Sequence, residues 1–200
     1  MEQVEFYFDL GSPYSYVGFY RIQQIAMQYQ AKIIWKPMLL GGVFKATGNS
    51  SPMAVPAKAR YSMIDLGRWS KLWHIPVQMN PYFPINTLNL MRLITAVQLY
   101  QPENFQKVLH GLFDAMFGQP KNLNDMNELV ALCQSLELDI DVVQAWLADD
   151  QVKNQLKQVT EEAIERGIFG APTWFVGDEM YWGIDHLHFM EQELAEYSSV

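Results

Sequence analysis

The chain has 200 residues, of which 50% are hydrophobic and 18% are charged, and its formal net charge is −8. This length fits one domain, or a core with an inserted subdomain, and the apolar content excludes a disordered chain. The acidic balance disfavours nucleic acid and anionic membranes as partners, because both require clustered Lys and Arg.

The sequence has no features of a targeting or membrane segment. Its first residues, Met1 to Glu5, are acidic and lack the basic start and apolar core of a signal peptide. No uninterrupted apolar run reaches the roughly 18 residues that a membrane span needs. The single cysteine, Cys133, excludes an intramolecular disulfide framework and is typical of a reducing compartment. We therefore expect a cytoplasmic protein.

The first 40 residues predict a strand, a helix and a second strand. Residues 3–9 are aromatic and β-branched and alternate in part, which is typical of a strand. Pro13 suits the first turn of a helix over residues 14–30. Residues 32–38 form a second strand that ends at a proline. This order predicts a parallel pair of strands with a right-handed crossover.

The middle of the chain contains helix patterns and almost no strand patterns. Residues 41–56 are rich in Gly, Ser, Asn and Pro and are predicted to be a loop. Breaks at prolines and at Gly167 then divide the segment into helices. The predicted helices are residues 57–74, 85–100, 102–118, 125–136, 139–147 and 149–167.

Strand patterns return near the end of the chain. Residues 172–176 and 179–182 predict a hairpin, and residues 185–197 predict a closing helix. The order βαβ, a long helical segment, then ββα, is that of an α/β thioredoxin-like fold with a large all-helical insertion. We expect residues 1–45 and 167–200 to form the thioredoxin-like domain and residues 46–166 the inserted helical domain.

The turn after the first strand is the first candidate site. Ser12-Pro13-Tyr14-Ser15 has the spacing of a Cys-x-x-Cys redox motif, with serine at both ends. A helix N-terminus stabilises a thiolate, so the same field would stabilise the thiolate of a ligand, with the Ser12 hydroxyl as a hydrogen-bond donor. The alternative is that Ser12 only caps the helix. The spacing leaves both interpretations open.

A second candidate lies just before the returning strand, at Gly170-Ala171-Pro172-Thr173. In a thioredoxin-like fold, a proline here is expected in the cis form, beside backbone groups that can pair with a bound peptide. The alternative is an ordinary proline at the start of a strand.

Several motifs along the chain together resemble a known family. They are Phe6 to Tyr16 (FYFDLGSPYSY), Thr47-Gly48-Asn49 with Val55 to Lys58 (VPAK), Tyr61 through Asp65-Leu66-x-Arg68-Trp69, Asn89-x-x-Arg92, Gly167 to Thr173 (GIFGAPT) and Trp182 to Asp185 (WGID). In this order and spacing the chain resembles the 2-hydroxychromene-2-carboxylate isomerases and the related kappa-class glutathione transferases, within the DsbA-like group. The resemblance covers nearly the whole chain and implies the DsbA and kappa-class architecture.

The resemblance implies glutathione as the cofactor. Ser12 matches the family's catalytic serine, which holds the glutathione sulfur as a thiolate. Asn49 and Lys58 match positions that contact the glycine end, and Lys58 suits a carboxylate as a point charge. Ala171, beside Pro172, matches the backbone site that pairs with the cysteinyl part, and Asp185 matches the acidic residue that meets the γ-glutamyl amino group.

One departure from the family pattern lies beside Asp185. Ile184 and His186 stand where the family usually has a small polar residue and an arginine. A hydrogen bond to the γ-glutamyl carboxylate is then missing, although the helix N-terminus can supply other donors.

Other residues are candidates for the substrate side of the site. Arg68 is suited to bind the carboxylate of an aromatic substrate, and Trp69 and Tyr14 are suited to pack against its ring. The alternative is that Arg68 lies on the surface and packs its stem over Trp69. Asn89 belongs to a possible polar stripe with Asn86 and Arg92, which would equally fit a solvated helix face. The four histidines lack zinc-ligand spacing, so no metal is expected, and a buried, inert thiol is expected at Cys133.

The resemblance implies an isomerase that acts by reversible addition of glutathione thiolate to a conjugated carbon of 2-hydroxychromene-2-carboxylate or a similar intermediate of aromatic catabolism. The alternatives are a kappa-like glutathione transferase or peroxidase, and a non-catalytic binding module with the thioredoxin fold. A thiol–disulfide oxidoreductase is nearly excluded, because neither Ser12 nor Ser15 can form a disulfide. The resemblance also implies a homodimer.

Overall fold

A computed structural model describes residues 2–197 of the chain. Its sheet has four strands in the spatial order β2-β1-β3-β4. β1 and β2 are parallel, as predicted, and the β1–β3 and β3–β4 pairs are antiparallel. The strands are β1 Gln3–Phe8, β2 Lys32–Pro37, β3 Thr173–Val176 and β4 Glu179–Trp182.

The inner strands are fixed by apolar side chains on both faces. Phe6 stacks on Trp174 of the neighbouring strand with 4.1 Å between ring centroids, and Trp35 of β2 lies 5.7 Å from Phe6 on its other side. These three residues occupy one register position, since Phe6 pairs with both tryptophans. Cross-strand aromatic pairs of this kind add to the hydrophobic stabilisation of a sheet. The alignment holds β1 between β2 and β3.

Nine α-helices lie within residues 2–197. They are α1 Pro13–Tyr29, α2 Leu40–Thr47, α3 Pro56–Trp73, α4 Leu88–Tyr100, α5 Phe105–Phe113, α6 Met126–Ser135, α7 Ile140–Ala148, α8 Asp150–Glu165 and α9 Leu187–Tyr197. Single 3-10 turns occur at Pro52–Ala54 and Pro102–Asn104, and a π-turn follows α5 at Asp114–Gly118. None of these helices is both long and apolar enough to cross a membrane.

Helix α2 corrects the prediction of a loop over residues 41–56. Gly41 and Gly42 lower the intrinsic helix propensity of this segment, so its composition favours a loop. Val43 is buried on the sheet side, and Leu40 packs at the edge of the same cluster. Tertiary packing of this apolar side therefore outweighs the cost of two glycines.

Other helix boundaries also differ from the prediction. α4 begins at Leu88 instead of residue 85, and α9 begins at Leu187 instead of residue 185. The predicted helix over residues 102–118 is divided into the 3-10 turn, α5 and the π-turn. Pro102 begins the 3-10 turn, a first-turn position that a proline tolerates, and α5 follows at Phe105.

One hydrophobic core joins the sheet to the inserted helices. Phe8 of β1 contacts Phe113 of α5 with 5.8 Å between ring centroids, and Trp35 contacts Phe105 at the same distance. Cys133 is 1% exposed in this core, and burial raises the pKa of its thiol to about 11. A smaller cluster packs α2 and α8 on the other face of the sheet.

Candidate active site

A cavity of about 520 Å³ lies at the carboxyl end of β1, between the sheet and α3. Its volume is within the range of about 300–1,000 Å³ that is typical of small-molecule sites. In α/β sheets, ligands bind at this end of the strands. The cavity is bounded by the turn from Gly11 to Tyr14, by α2, by residues 49–53, by one side of α3, and by residues 170–172 and 182–185.

Ser12 lies at the floor of this cavity and is 4% exposed. Its Oγ accepts a hydrogen bond from the Ser15 amide at 3.1 Å. Ser12 therefore caps α1, which is one of the two roles that the sequence left open for it. The same hydroxyl donates to the Ala171 carbonyl oxygen at 3.1 Å. The hydroxyl therefore connects the N-terminus of α1 to the segment before β3, and it does so inside the cavity.

The Ala171–Pro172 peptide bond is cis, which confirms the prediction for this position. Both residues line the cavity opposite the turn that carries Ser12. The following residue, Thr173, begins β3, and its side chain donates to the Gly170 carbonyl at 2.9 Å. The segment is therefore held at the cavity by contacts on both of its sides.

Asp9 supports the Ser12 turn from below, and it is not among the site residues predicted from the sequence. It is 2% exposed; its Oδ1 accepts from the Gly11 amide at 2.8 Å and its Oδ2 from the Leu40 amide at 2.9 Å. Burial raises the pKa of the Asp9 carboxyl, against the opposing effect of hydrogen bonds from Gly11, Leu40 and Thr87. An acidic residue directly after a buried strand, two residues before a glycine, was the available signal.

The residues matched to the glycine end of glutathione lie at one side of the cavity. Asn49 lines it and donates from Nδ2 to the Phe169 carbonyl oxygen at 2.7 Å. Lys58 is exposed and lines an adjoining depression instead. The depression shares Pro52, Tyr61 and Ser62 with the cavity, so Lys58 lies on a surface that adjoins the cavity.

Asp185 and Ile184 line the cavity near Pro172. Ile184 is 2% exposed, whereas the side chain of Asp185 is 62% exposed. Asp185 precedes α9 by two residues and was expected to begin it. His186 lies beside it, with Nδ1 3.4 Å from Asp185 Oδ1 and 2.8 Å from the Trp182 carbonyl oxygen.

Tyr14 and Trp69 both donate hydrogen bonds to the carboxylate of Asp65, which the sequence indicated only as part of a motif. The Tyr14 hydroxyl donates to Asp65 Oδ2 at 2.9 Å, and Trp69 Nε1 donates to the same oxygen at 3.1 Å. Burial, and then the bond to Asp65, raise the pKa of Tyr14, so its phenol stays protonated. All three residues line the cavity.

Two predicted substrate-side residues lie elsewhere. Arg68 is exposed and is not among the residues that line the cavity, because it faces about 100° around α3 from Trp69. Asn89 lines a separate cavity of about 330 Å³, together with Asn86 and Asn124. Within residues 2–197, no three His, Cys, Asp or Glu side chains are grouped to hold a metal ion.

Comparison with known proteins gives the family of the chain. Residues 3–195 match the model of the DSBA-like thioredoxin domain. A 2-hydroxychromene-2-carboxylate isomerase from Pseudomonas sp. (strain C18) is 33% identical over 199 residues, which cover 96% of this chain and 90% of that protein. Glutathione S-transferase kappa 1 from Homo sapiens is 30% identical over 215 residues, covering 96% and 91%.

Solved structures agree with these relatives. The structure of a 2-hydroxychromene-2-carboxylate isomerase superposes with a TM-score of 0.86 at 28% identity, over 98% of this chain and 95% of that chain. A probable DsbA oxidoreductase from Streptomyces coelicolor superposes with a TM-score of 0.76 at 19% identity, over 98% and 89%, and shares the fold. The chain therefore belongs to the DsbA-like thioredoxin-domain family, in the group of enzymes that includes 2-hydroxychromene-2-carboxylate isomerases and kappa glutathione transferases.

Proposed function

We propose that the chain is a glutathione-dependent isomerase of 2-hydroxychromene-2-carboxylate or a similar intermediate of aromatic catabolism. The observation that carries the proposal is the position of the Ser12 hydroxyl, at the N-terminus of α1 and on the floor of the cavity. The names of the relatives support the reaction class.

Ser12 acts in this proposal as the donor that holds a ligand's sulfur. Its hydroxyl donates to the Ala171 carbonyl and would turn toward a thiolate in the cavity. The amide of Tyr14 belongs to the first turn of α1, whose N–H groups have no partner within a helix. Helix N-termini stabilise anions through such amides and through the helix dipole, so this position favours a sulfur that is ionised.

The residues around the cavity fit glutathione. Ala171 and Pro172 would hold its cysteinyl backbone, and Asp185 would accept from its γ-glutamyl amino group. Asn49 and Lys58 would hold the glycine carboxylate, for which an ammonium is a suitable point charge. Bound glutathione would supply a thiolate that adds reversibly to a conjugated carbon of the substrate, which opens the ring and permits rotation before elimination.

The test is a spectrophotometric assay of 2-hydroxychromene-2-carboxylate isomerisation, with and without glutathione, for the wild type and Ser12→Ala. We expect turnover only with glutathione and a loss of about 10²-fold or more in the variant, the effect of removing one donor from a developing or bound anion. The control is Asp139→Ala, which removes the cap of α7 far from the cavity and should keep the wild-type rate.

Two results would contradict the proposal. Conjugation of glutathione to chlorodinitrobenzene without isomerisation would replace it by the transferase function. Glutathione that neither binds nor reacts would leave a non-catalytic binding module, as the isoleucine at position 184 allows.

We also propose that the chain forms a homodimer and is located in the cytoplasm, as the family resemblance implies. Size-exclusion chromatography with light scattering should give twice the mass of one chain. A mass equal to one chain at micromolar concentration would contradict the dimer, and recovery outside the cytoplasmic fraction would contradict the location.

A further inference from the structure

The connection between α3 and α4 forms part of the cavity, and glutathione does not account for it in the proposed function. We call residues 74–87 the α3–α4 loop; they contain no helix or strand. Two of its side chains, Met79 and Phe83, line the cavity. Long loops of this kind in a compact domain are commonly functional, because a rigid scaffold holds their side chains at a site.

The α3–α4 loop is attached to the part of the chain that carries Ser12. Near the start of the loop, the Pro76 carbonyl oxygen accepts a hydrogen bond from the Tyr16 hydroxyl of α1 at 2.8 Å. At its end, Thr87 packs against Gly11, since a Cβ added at Gly11 would lie 3.2 Å from Thr87 Cγ2. A group attached to a sulfur at Ser12 would therefore lie near this loop.

Asn80 anchors the middle of the α3–α4 loop and is 3% exposed. Its Nδ2 donates to the carbonyl oxygens of Met116 at 3.2 Å and Lys121 at 3.0 Å, and its Oδ1 accepts from the Tyr82 amide at 2.9 Å. Met116 belongs to the π-turn after α5, and Lys121 follows that turn. Because each of these bonds satisfies a buried polar group, a change in the orientation of Asn80 would be costly. Asn80 therefore fixes the loop on the inserted helices.

The residues on either side of this anchor suit an aromatic ring. Phe83 can stack on a ring or meet its edge, and the thioether of Met79 makes favourable contacts with rings and adapts to their shape. Asn80 separates them in the sequence and is not among the residues that line the cavity. Its role in the site would therefore be indirect, through Met79 and Phe83.

We infer that Met79 and Phe83 form the surface against which the aromatic ring of the substrate packs, and that Asn80 is the positioning residue that holds them there. The inference rests on the proposed function, in which the two ends of glutathione are assigned to Asn49 and Asp185. The side of the cavity formed by the α3–α4 loop is then left for the substrate.

The test uses two glutathione conjugates whose sulfur is already blocked, S-methylglutathione and S-(1-naphthylmethyl)glutathione. The second carries a bicyclic aromatic group on the sulfur, where the substrate is attached in the proposed adduct. Isothermal titration calorimetry gives the Kd of each. We expect the wild type to bind the naphthylmethyl conjugate at least about tenfold more tightly, because that conjugate buries more apolar area. Phe83→Ala should reduce this preference by about tenfold through loss of the ring contact.

Asn80→Ala should reduce the preference by a similar factor, while the Kd of S-methylglutathione changes by less than about twofold, since that ligand does not reach the loop. The effects of the two variants should not add. In a Phe83→Ala background, Asn80→Ala should lower the preference by less than about threefold, because it acts through the ring that is already absent. An unchanged preference in Asn80→Ala, or an effect of equal size with and without Phe83, would overturn the inference.

Val143→Ala is the control for a general loss of stability. Val143 is 5% exposed on α7, which packs on α4, α6 and α8, and it does not line the cavity. The substitution loosens the packing of α7, so the preference should stay within about twofold of the wild-type value. A fall in preference as large as that in Asn80→Ala would mean that stability is the cause, and would overturn the positioning role.

The proposed function is tested separately, by turnover of 2-hydroxychromene-2-carboxylate with glutathione. Asn80→Ala should raise KM more than it lowers kcat, because the ring packs alike in the ground state and the transition state. Isomerisation by a wild type that binds both conjugates equally would overturn the inference and leave the proposed function standing. The expected preference without isomerisation would contradict the isomerase and leave the role of Asn80 standing. Binding of neither conjugate would overturn both.

Discussion

Asp9 connects two segments that form the floor of the cavity. Each of its carboxylate oxygens accepts one backbone N–H, from Gly11 in the Ser12 turn and from Leu40 at the start of α2. In Asp9→Asn, one of these amides would face an NH₂ group and lose its acceptor in a buried place. We expect a loss of about 1–3 kcal/mol in the free energy of unfolding, measured by urea denaturation.

The control for this prediction is Asp178→Asn, which changes an exposed carboxylate and should shift the stability by less than about 0.5 kcal/mol. A stability of Asp9→Asn equal to that of the wild type would mean that the two amides find other acceptors. In the proposed function, Asp9→Asn should also weaken glutathione binding, because the Gly11 amide that Asp9 holds leads directly into Ser12.

At the scale of single residues, the sequence predicted the site residues whose role follows from their position next to a strand or helix. Ser12 was identified by its place after a strand and before a proline, and Pro172 by its place before the returning strand. The place of Asp65 in the site could not be predicted, because it depends on a hydrogen bond from Tyr14, a residue 51 positions away. Such a contact depends on how α3 packs on α1, which no local pattern encodes.

Among the helices, two interior glycines have opposite surroundings. A Cβ added at Gly18 of α1 would lie 2.8 Å from the ring of Trp174, which is 0% exposed. A Cβ added at Gly67 of α3 would meet no atom within 4 Å. We expect Gly18→Ala to cost about 1–3 kcal/mol through overpacking, and Gly67→Ala to gain about 0.5–1 kcal/mol through helix propensity.

The same substitution at two sites makes each the control for the other, and thermal and urea denaturation both measure the result. If Gly18→Ala were neutral, Trp174 would have room to move, and the close helix–strand contact would not require glycine.

Helix α8 is attached to the sheet by a cluster of charges. The Glu162 carboxylate accepts from the Tyr7 hydroxyl at 2.6 Å and from Lys36 at 2.9 Å. Burial pushes the pKa of Glu162 up, but these bonds hold it below its usual value. A carboxyl with a lowered pKa stabilises the fold above its unfolded pKa of about 4.3 and loses this effect as the pH falls through the folded pKa.

Glu162→Gln should therefore cost about 1 kcal/mol at pH 7, a value reduced for solvent screening because the side chain is 40% exposed. The difference from the wild type should shrink as the pH falls below about 4. Urea denaturation at several pH values measures it. Glu161→Gln, whose carboxylate pairs with Lys157 at 3.5 Å on the helix surface, is the control and should differ little at any pH. A cost that is constant with pH would contradict the role of the charge.

For whole elements, the periodicity of hydrophobic residues predicted the four strands and most helices within a few residues. In these segments the hydrophobic residues recur at the spacing of the buried face of a strand or helix. Helix α2 was missed because its two glycines favour a loop locally and its stability comes from packing of Val43. Propensity describes a segment alone, whereas α2 is stable only against the sheet and α8.

In the whole molecule, the order of elements was enough to predict the thioredoxin-like fold, because βαβ and ββα units permit few arrangements once the crossover is right-handed. The boundaries proposed at residues 45/46 and 166/167 stay a prediction. Apolar contacts cross them: Phe113 of the helical segment lies 5.8 Å from Phe8 and 5.3 Å from Phe19, between ring centroids. Both segments contribute to one continuous core.

A shared core predicts cooperative unfolding of the two proposed domains. Tryptophans report on both of them; Trp35, Trp174 and Trp182 lie in residues 1–45 and 167–200, and Trp69, Trp73 and Trp146 lie in residues 46–166. We expect tryptophan fluorescence and far-ultraviolet circular dichroism to give one urea transition with the same midpoint. Phe113→Ala should lower the free energy of unfolding by about 3–5 kcal/mol. Both midpoints should therefore fall together. Two separate transitions, of which Phe113→Ala shifts only the one followed by circular dichroism, would contradict this. They would mean that the inserted helices fold as an independent unit, because destabilising one unit would then leave the other folded.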